Sequence, residues 1–224
     1  SGAGSGDEED PPAEDLAGSQ FGIRHDRTMA LPNGYHDLPP GKIAAVVTYL
    51  EMTEAPAGAA EADVRFTVER VYRPELDWYR GLFRRIGEEG LWFGHLAMAD
   101  EELRRTLLNP LVEVHVLRTQ GFDLGMAVLD ARKPPDVELM YFGVVREAQG
   151  QGAGKYLLRE AMGRAFARTP RRLWLHTCSN DHPRALEFYQ RMGFRAYKRG
   201  IEIADDPRRK GILPEDAGPG VPLL

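Results

Sequence analysis

The stretch Tyr141-Phe142-Gly143-Val144-Val145-Arg146-Glu147-Ala148-Gln149-Gly150-Gln151-Gly152-Ala153-Gly154-Lys155 decides the fold. It opens apolar and β-prone, passes through a turn, and ends in glycines that lead into an amphipathic segment, roughly 152–168. That segment carries Leu157, Leu158, Ala161, Met162, Ala165 and Phe166 at helical spacing. A strand that runs through glycines into a helix gathers free backbone amides at the positive end of the helix dipole, and glycine lets a phosphate approach closely. Such a turn also arises for packing alone. The spacing is not Gly-x-Gly-x-x-Gly, and Lys155 is followed by Tyr156 rather than Ser or Thr, so neither the dinucleotide nor the nucleoside-triphosphate pattern is met.

Working outward, three apolar stretches, 111–118, 122–130 and 137–145, are joined by Thr119-Gln120-Gly121 and Lys133-Pro134-Pro135-Asp136. Connections this short predict an antiparallel meander. Further upstream, residues 42–52 are rich in alanine and β-branched residues and read as a strand, and 64–72 as a half-buried strand. Leu76, Tyr79, Phe83 and Ile86 give a helix after Pro74, and a second helix is expected over 100–108, capped by Asp100 and stopped by Asn109-Pro110. Downstream come a strand over 172–178, a short helix over 183–192 closed by Gly193, and a strand over 194–203. From Val64 onward the order β-α-α-β-β-β-α-β-α-β predicts an α+β fold, one mixed and mostly antiparallel sheet flanked by helices.

The 224 residues suit one domain with flanking segments. Residues 1–20 have the composition of a disordered acidic tail, 21–62 form an N-terminal extension with an extra strand, 63–205 the domain, and 206–224 a C-terminal tail. The extra strand is expected to add a sheet edge or a dimer contact, which leaves a homodimer open. The N-terminal segment has no basic start and no apolar run, unlike a signal peptide. Ile43–Leu50 falls far short of the ~20 apolar residues a membrane helix needs. A net charge of −5 gives no general attraction to nucleic acid or an anionic membrane. Cys178 is the one cysteine, so no internal disulfide and no cysteine-rich metal site can form, and a reducing cytoplasm fits.

Gln149-x-x-Gly152-x-Gly154 resembles the Arg/Gln-x-x-Gly-x-Gly/Ala signature of the GNAT superfamily of acyl-CoA N-acyltransferases. The later block Trp174-Leu175-His176-Thr177-Cys178-Ser179-Asn180-Asp181-His182-Pro183, with Ala185-Leu186-x-Phe188-Tyr189-x-x-Met192-Gly193-Phe194, is similar to the family's strand-helix-strand segment. The resemblance covers roughly 112–197. It implies an acetyl-CoA-dependent N-acetyltransferase that needs no metal and acts on a small-molecule or peptide amine. Phe142, Gly143, Val144 and Val145 would supply the backbone edge for the pantetheine arm. The amides of Gln151, Gly152, Ala153, Gly154 and Lys155 would bind the pyrophosphate, with Gly150 in the same turn, Gln149 assisting and Asn180 reaching the arm or capping a helix.

Amine acetylation needs a base, an oxyanion site and a proton for the departing thiolate. Glu138 lies in an otherwise apolar strand, where burial would raise its pKa, and some family members carry glutamate at the corresponding position, so it is the expected base. The competing reading is an exposed or salt-bridged strand residue. By strand parity Glu138 shares a face with Met140, Phe142 and Val144, and that face must border the acceptor. Tyr189 resembles the family's tyrosine beside the cofactor sulfur, a proton donor; as an aromatic it also suits packing of its helix onto the sheet. Trp92 and His95 fall where the family varies its acceptor site, and His176 flanks the turn after the sixth strand, where it would contact substrate or serve structure. Cys178, with no basic partner nearby in sequence, reads as filler. A catalytically silent acyl-CoA-binding module is the alternative function, and a nucleotide site in a doubly wound fold is disfavoured by the order of elements.

Overall fold

A computed structural model describes residues 31–56 and 63–224. The expected tail over 1–20, the first ten residues of the extension and most of the linker before Val64 lie outside the described residues. Contact clustering separates the segment up to Tyr35 from a unit running from His36 to Leu224, and the architecture below is that of the second unit.

Seven strands form one sheet. They are β1 (Lys42–Met52), β2 (Thr67–Val71), β3 (Val112–Thr119), β4 (Phe122–Asp130), β5 (Asp136–Val144), β6 (Arg172–Cys178) and β7 (Arg195–Asp205). Helices α1 (Leu76–Gly87), α2 (Gly94–Ala97) and α3 (Asp100–Leu107) lie between β2 and β3; α4 (Ala153–Phe166) and α5 (Ala185–Arg191) flank β6. The order across the sheet is β2-β3-β4-β5-β6-β1-β7, antiparallel throughout except for β5 beside β6. The mixed, mostly antiparallel α+β architecture read from the sequence is therefore present. No described helix is long and apolar enough to cross a membrane.

Three local expectations are adjusted. The strand expected from Val64 starts at Thr67, and Val64 is fully exposed. Asp100 opens α3 as its first residue while Ala99 caps it, and the four-residue α2 was not signalled by any periodicity. The extra strand is not at an edge. β1 lies inside the sheet, paired with β6 from Val47↔Cys178 to Met52↔Leu173 and with β7 from Lys42↔Asp205 to Glu51↔Arg195. Its alternation of buried and exposed residues along Lys42–Val47 looks like an edge in sequence, because period two reports face burial and not lateral neighbours.

Helices cover both faces. A Cβ at Gly125 would stand 3.2 Å from Leu157 Cδ2 of α4, whereas one at Gly143 would stand 2.4 Å from Ile86 Cγ2 of α1. Gly125 pairs with Val144, so Gly143 points to the opposite face, and α1 and α4 sandwich the sheet. The core includes Phe83, Leu103, Met126, Leu129, Leu157, Leu158, Met162, Leu173 and Leu175, all essentially inaccessible. Beneath α4, Glu113 of β3 gathers Arg70, Arg168 and His115 into a buried charged network.

The segment after β7 has no helix or strand, yet it is not loose. Asp206 and Arg208 are 3% and 2% exposed at their side chains and paired at 2.8 Å. Arg208 Nη1 also donates to the carbonyls of Ala217 and Val221. Gly218 sits so close to Leu91 that a Cβ there would be 2.4 Å from Leu91 Cγ. Few apolar residues announce this packing in sequence, because one buried ion pair and the backbone carbonyls it satisfies hold it.

Candidate functional site

The site is a gap in the sheet. β5 and β6 pair in parallel only at Asp136↔Arg172, Val137↔Leu173 and Glu138↔Trp174. From Leu139 to Val144 the side of β5 facing β6 has no strand partner, so its N–H and C=O groups are free for a ligand, as buried backbone groups demand partners. On its other side β5 continues to pair with β4 as far as Gly125↔Val144.

At the end of β5 a 3-10 turn, Arg146–Ala148, leads into the glycine turn. Gly150 and Gly152 have φ of +74° and +85°, the left-handed region where a side chain is strained. Gly152 caps α4, and the first backbone bond of that end is Tyr156 N–H to Gly152 C=O at 3.0 Å. The amides before Tyr156 therefore have no intrahelical acceptor, and they sit at the positive pole of a 14-residue helix. Gln151 Nε2 donates to Glu147 C=O at 2.5 Å and fixes the turn. These residues fit a pyrophosphate: the backbone is bare, donors are clustered, and no carboxylate is hydrogen-bonded within the turn. Sequence reasoning missed Arg65, whose Nη2 lies 3.3 Å from Gln151 C=O and forms an ion pair with Asp63. No sequence signal links positions so far apart.

Gln149 and Arg146 also border a groove of about 680 Å³ between α1 and the sheet, with Trp78, Arg84, Arg85 and Asp123.

Glu138 is 6% exposed. Burial, then the charge of Asp130, pushes its carboxyl up to about 8, against weaker pulls from Lys133 and Arg132. The parity expectation fails here. Leu129 pairs with Leu139 and Val128 with Tyr141, so Met140 is an extra residue, a β-bulge. Asp130 faces Glu138 and Val128 faces Tyr141; since Val128 and Asp130 share a face, Glu138 shares its face with Tyr141 and not with Phe142 or Val144. That face is the α1 side. Tyr141 packs there against Phe83, Trp92 and His95 at ring separations of 4.7, 5.4 and 4.5 Å.

Tyr189 approaches from the opposite face. Its ring meets Phe142, Phe188 and Phe194 at 6.0, 5.5 and 6.1 Å, and burial keeps its hydroxyl well above the ordinary range, hence protonated. Phe142 and Phe188 stack at 6.0 Å, and a Cβ on Gly154 would be 3.9 Å from Phe188 Cζ, so α5 lies beside both the strand edge and the glycine turn. Glu138 and Tyr189 thus stand on opposite sides of the strand that borders the gap.

The three residues expected at the acceptor separate. His95 is 1% exposed, Nδ1 is 2.6 Å from Tyr79 Oη, and burial drops its pKa to about 3, which makes it a neutral core histidine walled off from a substrate. Trp92 spans the mouth of the gap: its ring lies against Tyr141 on one side, and Nε1 donates to Asp181 Oδ1 at 3.3 Å beyond β6. Asp181 also accepts from Thr177 Oγ1 at 2.7 Å and Cys178 N–H at 2.9 Å. His176, half-buried on β6, sits 5.9 Å from the Tyr49 ring of β1, with its pKa lowered by burial. Asn180 lies in the same turn without capping α5, whose N-cap is Arg184. Burial raises the Cys178 thiol to about 12, so it is no nucleophile.

A sheet opened beyond a short parallel pairing, with a glycine turn and helix start at the opening, is the architecture of the GNAT acyltransferases. Residues 124–194 match the sequence model of the Acetyltransferase (GNAT) family, and the chain carries a GNAT acetyltransferase domain. Among solved structures, a protein of Novosphingobium aromaticivorans assigned to the GNAT family superposes with a TM-score of 0.53 at 18% identity, over 74% of this chain and 67% of that one. A conserved Staphylococcus epidermidis protein of unknown function gives 0.52 at 16%, over 74% and 63%. This chain thus spans about two thirds of their length, and at such identities the likeness is one of fold. No curated protein matches the sequence.

Proposed function

We propose that this protein transfers the acetyl group of acetyl-CoA to an amine, by direct attack with both substrates bound. The observation that carries this reading is the placement of a buried, unpartnered carboxylate, Glu138, at the apex of the β5–β6 gap, with the bare glycine turn at the end of the same strand. Acetyl-CoA supplies the activated acyl carbon. The amides at the start of α4 hold its pyrophosphate, and the free edge of β5 from Met140 to Val144 lines its pantetheine arm. A β5 amide in that unpaired stretch stabilises negative charge on the carbonyl oxygen. As nitrogen bonds to the carbonyl carbon, Glu138 takes the amine proton, directly or through water, and as the carbon–sulfur bond breaks Tyr189 returns a proton to sulfur. Trp92 and Asp181 close the mouth and exclude water.

The test is thiol release from acetyl-CoA over an amine panel, beside calorimetric titration of acetyl-CoA into the protein. Binding with turnover on at least one amine, lost in Glu138→Gln, is expected. Tight binding with no turnover on any amine makes the chain a silent acyl-CoA module; no binding at all removes the reading.

A further inference from the structure

Glu202 is unused by that mechanism. It lies on β7 opposite Ala45, in the middle of a sheet otherwise apolar there, and its Oε1 is buried with no hydrogen-bond partner among the described residues. Register places its side chain. Ala45, Val47 and Tyr49 share one face of β1, and Tyr49 faces His176, which shares a face of β6 with Trp174, the partner of Glu138. Glu202 and Glu138 therefore project from the same side of the sheet, two strands apart, with Tyr49 between them. Both raise the pKa of Tyr49 and of Tyr141 by their charge, so both carboxylates look onto the same two phenols.

Between the carboxylates the wall is aromatic. The Tyr49 ring centroid is 6.4 Å from that of Trp174, 5.9 Å from His176 and 6.3 Å from Tyr197. An ammonium already rests on it: Lys198 Nζ is 4.6 Å from the Tyr49 centroid. Aromatic faces beside a desolvated carboxylate attract alkylammonium groups. The second carboxylate, Glu138, is itself 6% exposed and without a hydrogen-bond partner among the described residues. The reacting amine must be neutral to attack, and β5 and β7 are separated by about 14 Å of strand spacing, so one nitrogen does not serve both acids.

Resting on the acetyltransferase reading, we propose that Glu202 and the Tyr49 face form a subsite for a second, positively charged nitrogen, so that the acceptor is a diamine or polyamine acetylated at the end that reaches Glu138. Glu202 binds the distal ammonium and sets specificity; it exchanges no proton with the reacting atoms.

The experiment uses the full chain loaded with acetyl-CoA. Putrescine, cadaverine and spermidine are titrated beside butylamine and pentylamine, by calorimetry and by thiol release. Preference for the diamines by about tenfold or more, the discrimination of a charge-assisted hydrogen bond, is expected. Glu202→Gln should erase that preference, chiefly through KM, while Glu202→Asp retains it. Equal binding of diamines and monoamines, no binding of either, or a preference that survives Glu202→Gln overturns the subsite. Failure of acetyl-CoA to bind is a separate result, because it strikes the acetyltransferase reading alone.

Discussion

Glu138 of β5 faces Asp130 of β4 directly, and the bulge at Met140 turns that pair of acids to the same side of the sheet as Tyr141. Asp130 is clasped by Arg132 at 2.6 Å and remains charged, so its charge adds to burial in holding the Glu138 proton. The base is thereby tuned to about 8, near the pH at which an amine acceptor also begins to lose its proton.

The first expected outcome concerns pH. A base must be deprotonated, so kcat/KM should climb with pH and level off above about 8. Glu138→Gln should lower kcat by about a hundredfold or more and leave acetyl-CoA affinity in place. Stability moves the other way. The folded-state pKa lies above the unfolded one, so wild-type stability falls as pH rises from the ordinary glutamate range through about 8. The melting temperature of Glu138→Gln should therefore gain on wild type between pH 5 and pH 9, read by calorimetry.

Tyr189→Phe keeps the ring contacts with Phe142, Phe188 and Phe194 and removes only the hydroxyl. If that hydroxyl protonates the leaving thiolate, kcat should fall by about tenfold to a hundredfold with KM for acetyl-CoA steady. A change within about twofold would reduce Tyr189 to packing.

Gly152→Ala places a side chain at φ +85° on the cap of α4. About 1 kcal/mol of stability should be lost to backbone strain. The larger effect belongs to binding, because the methyl group stands among the amides at the helix start. Calorimetry should show weaker acetyl-CoA binding in Gly152→Ala, and a melting curve gives the stability cost.

Arg208→Ala leaves Asp206 buried and three carbonyl contacts unmade, those of Ala217, Val221 and Pro222. Removing one partner of a buried pair costs roughly 3–5 kcal/mol. Urea titration should show that loss, and limited proteolysis should cut within 206–224. The Arg208 guanidinium holds the Asp206 carboxyl below its usual range, so the pair's contribution is present at neutral pH and lost in acid, where the difference between variant and wild type narrows.

Much of the fold is legible because its signals are local. Residues 42–52 and 172–178 read as strands and are β1 and β6, residue for residue. The helix boundaries α4 and α5 announce themselves through Gly152, Pro170 and Gly193. What escaped is relational. Nothing in Leu139-Met140-Tyr141 marks the bulge, because all three are apolar and the extra residue is defined only by the partner strand. The parity assigned to Glu138 consequently failed, although its burial was legible from its neighbours. His95 looked like an acceptor residue because Trp92 and Phe93 precede it, but those aromatics enclose it instead. Glu202 was hidden in a strand that reads as polar and surface-exposed, since the burial of its Oε1 comes from elements remote in sequence.

The position of β1 also bears on how the molecule assembles. β7 joins the sheet through β1 alone, and the Lys42–Asp205 ion pair at 2.5 Å ties residues 163 apart in sequence. Contacts of such separation close slowly, because the entropy of a long loop is lost before any pairing compensates it. While the chain emerges from the ribosome, β1 waits without either lateral neighbour until β6 and then β7 arrive. The far wall of the gap is braced only by that last docking. Competence to hold an acyl donor should therefore appear late in folding, after the meander β3-β4-β5 has formed, and joining Asp205 to Lys42 with new ends at the exposed turn Gln120-Gly121 should speed it.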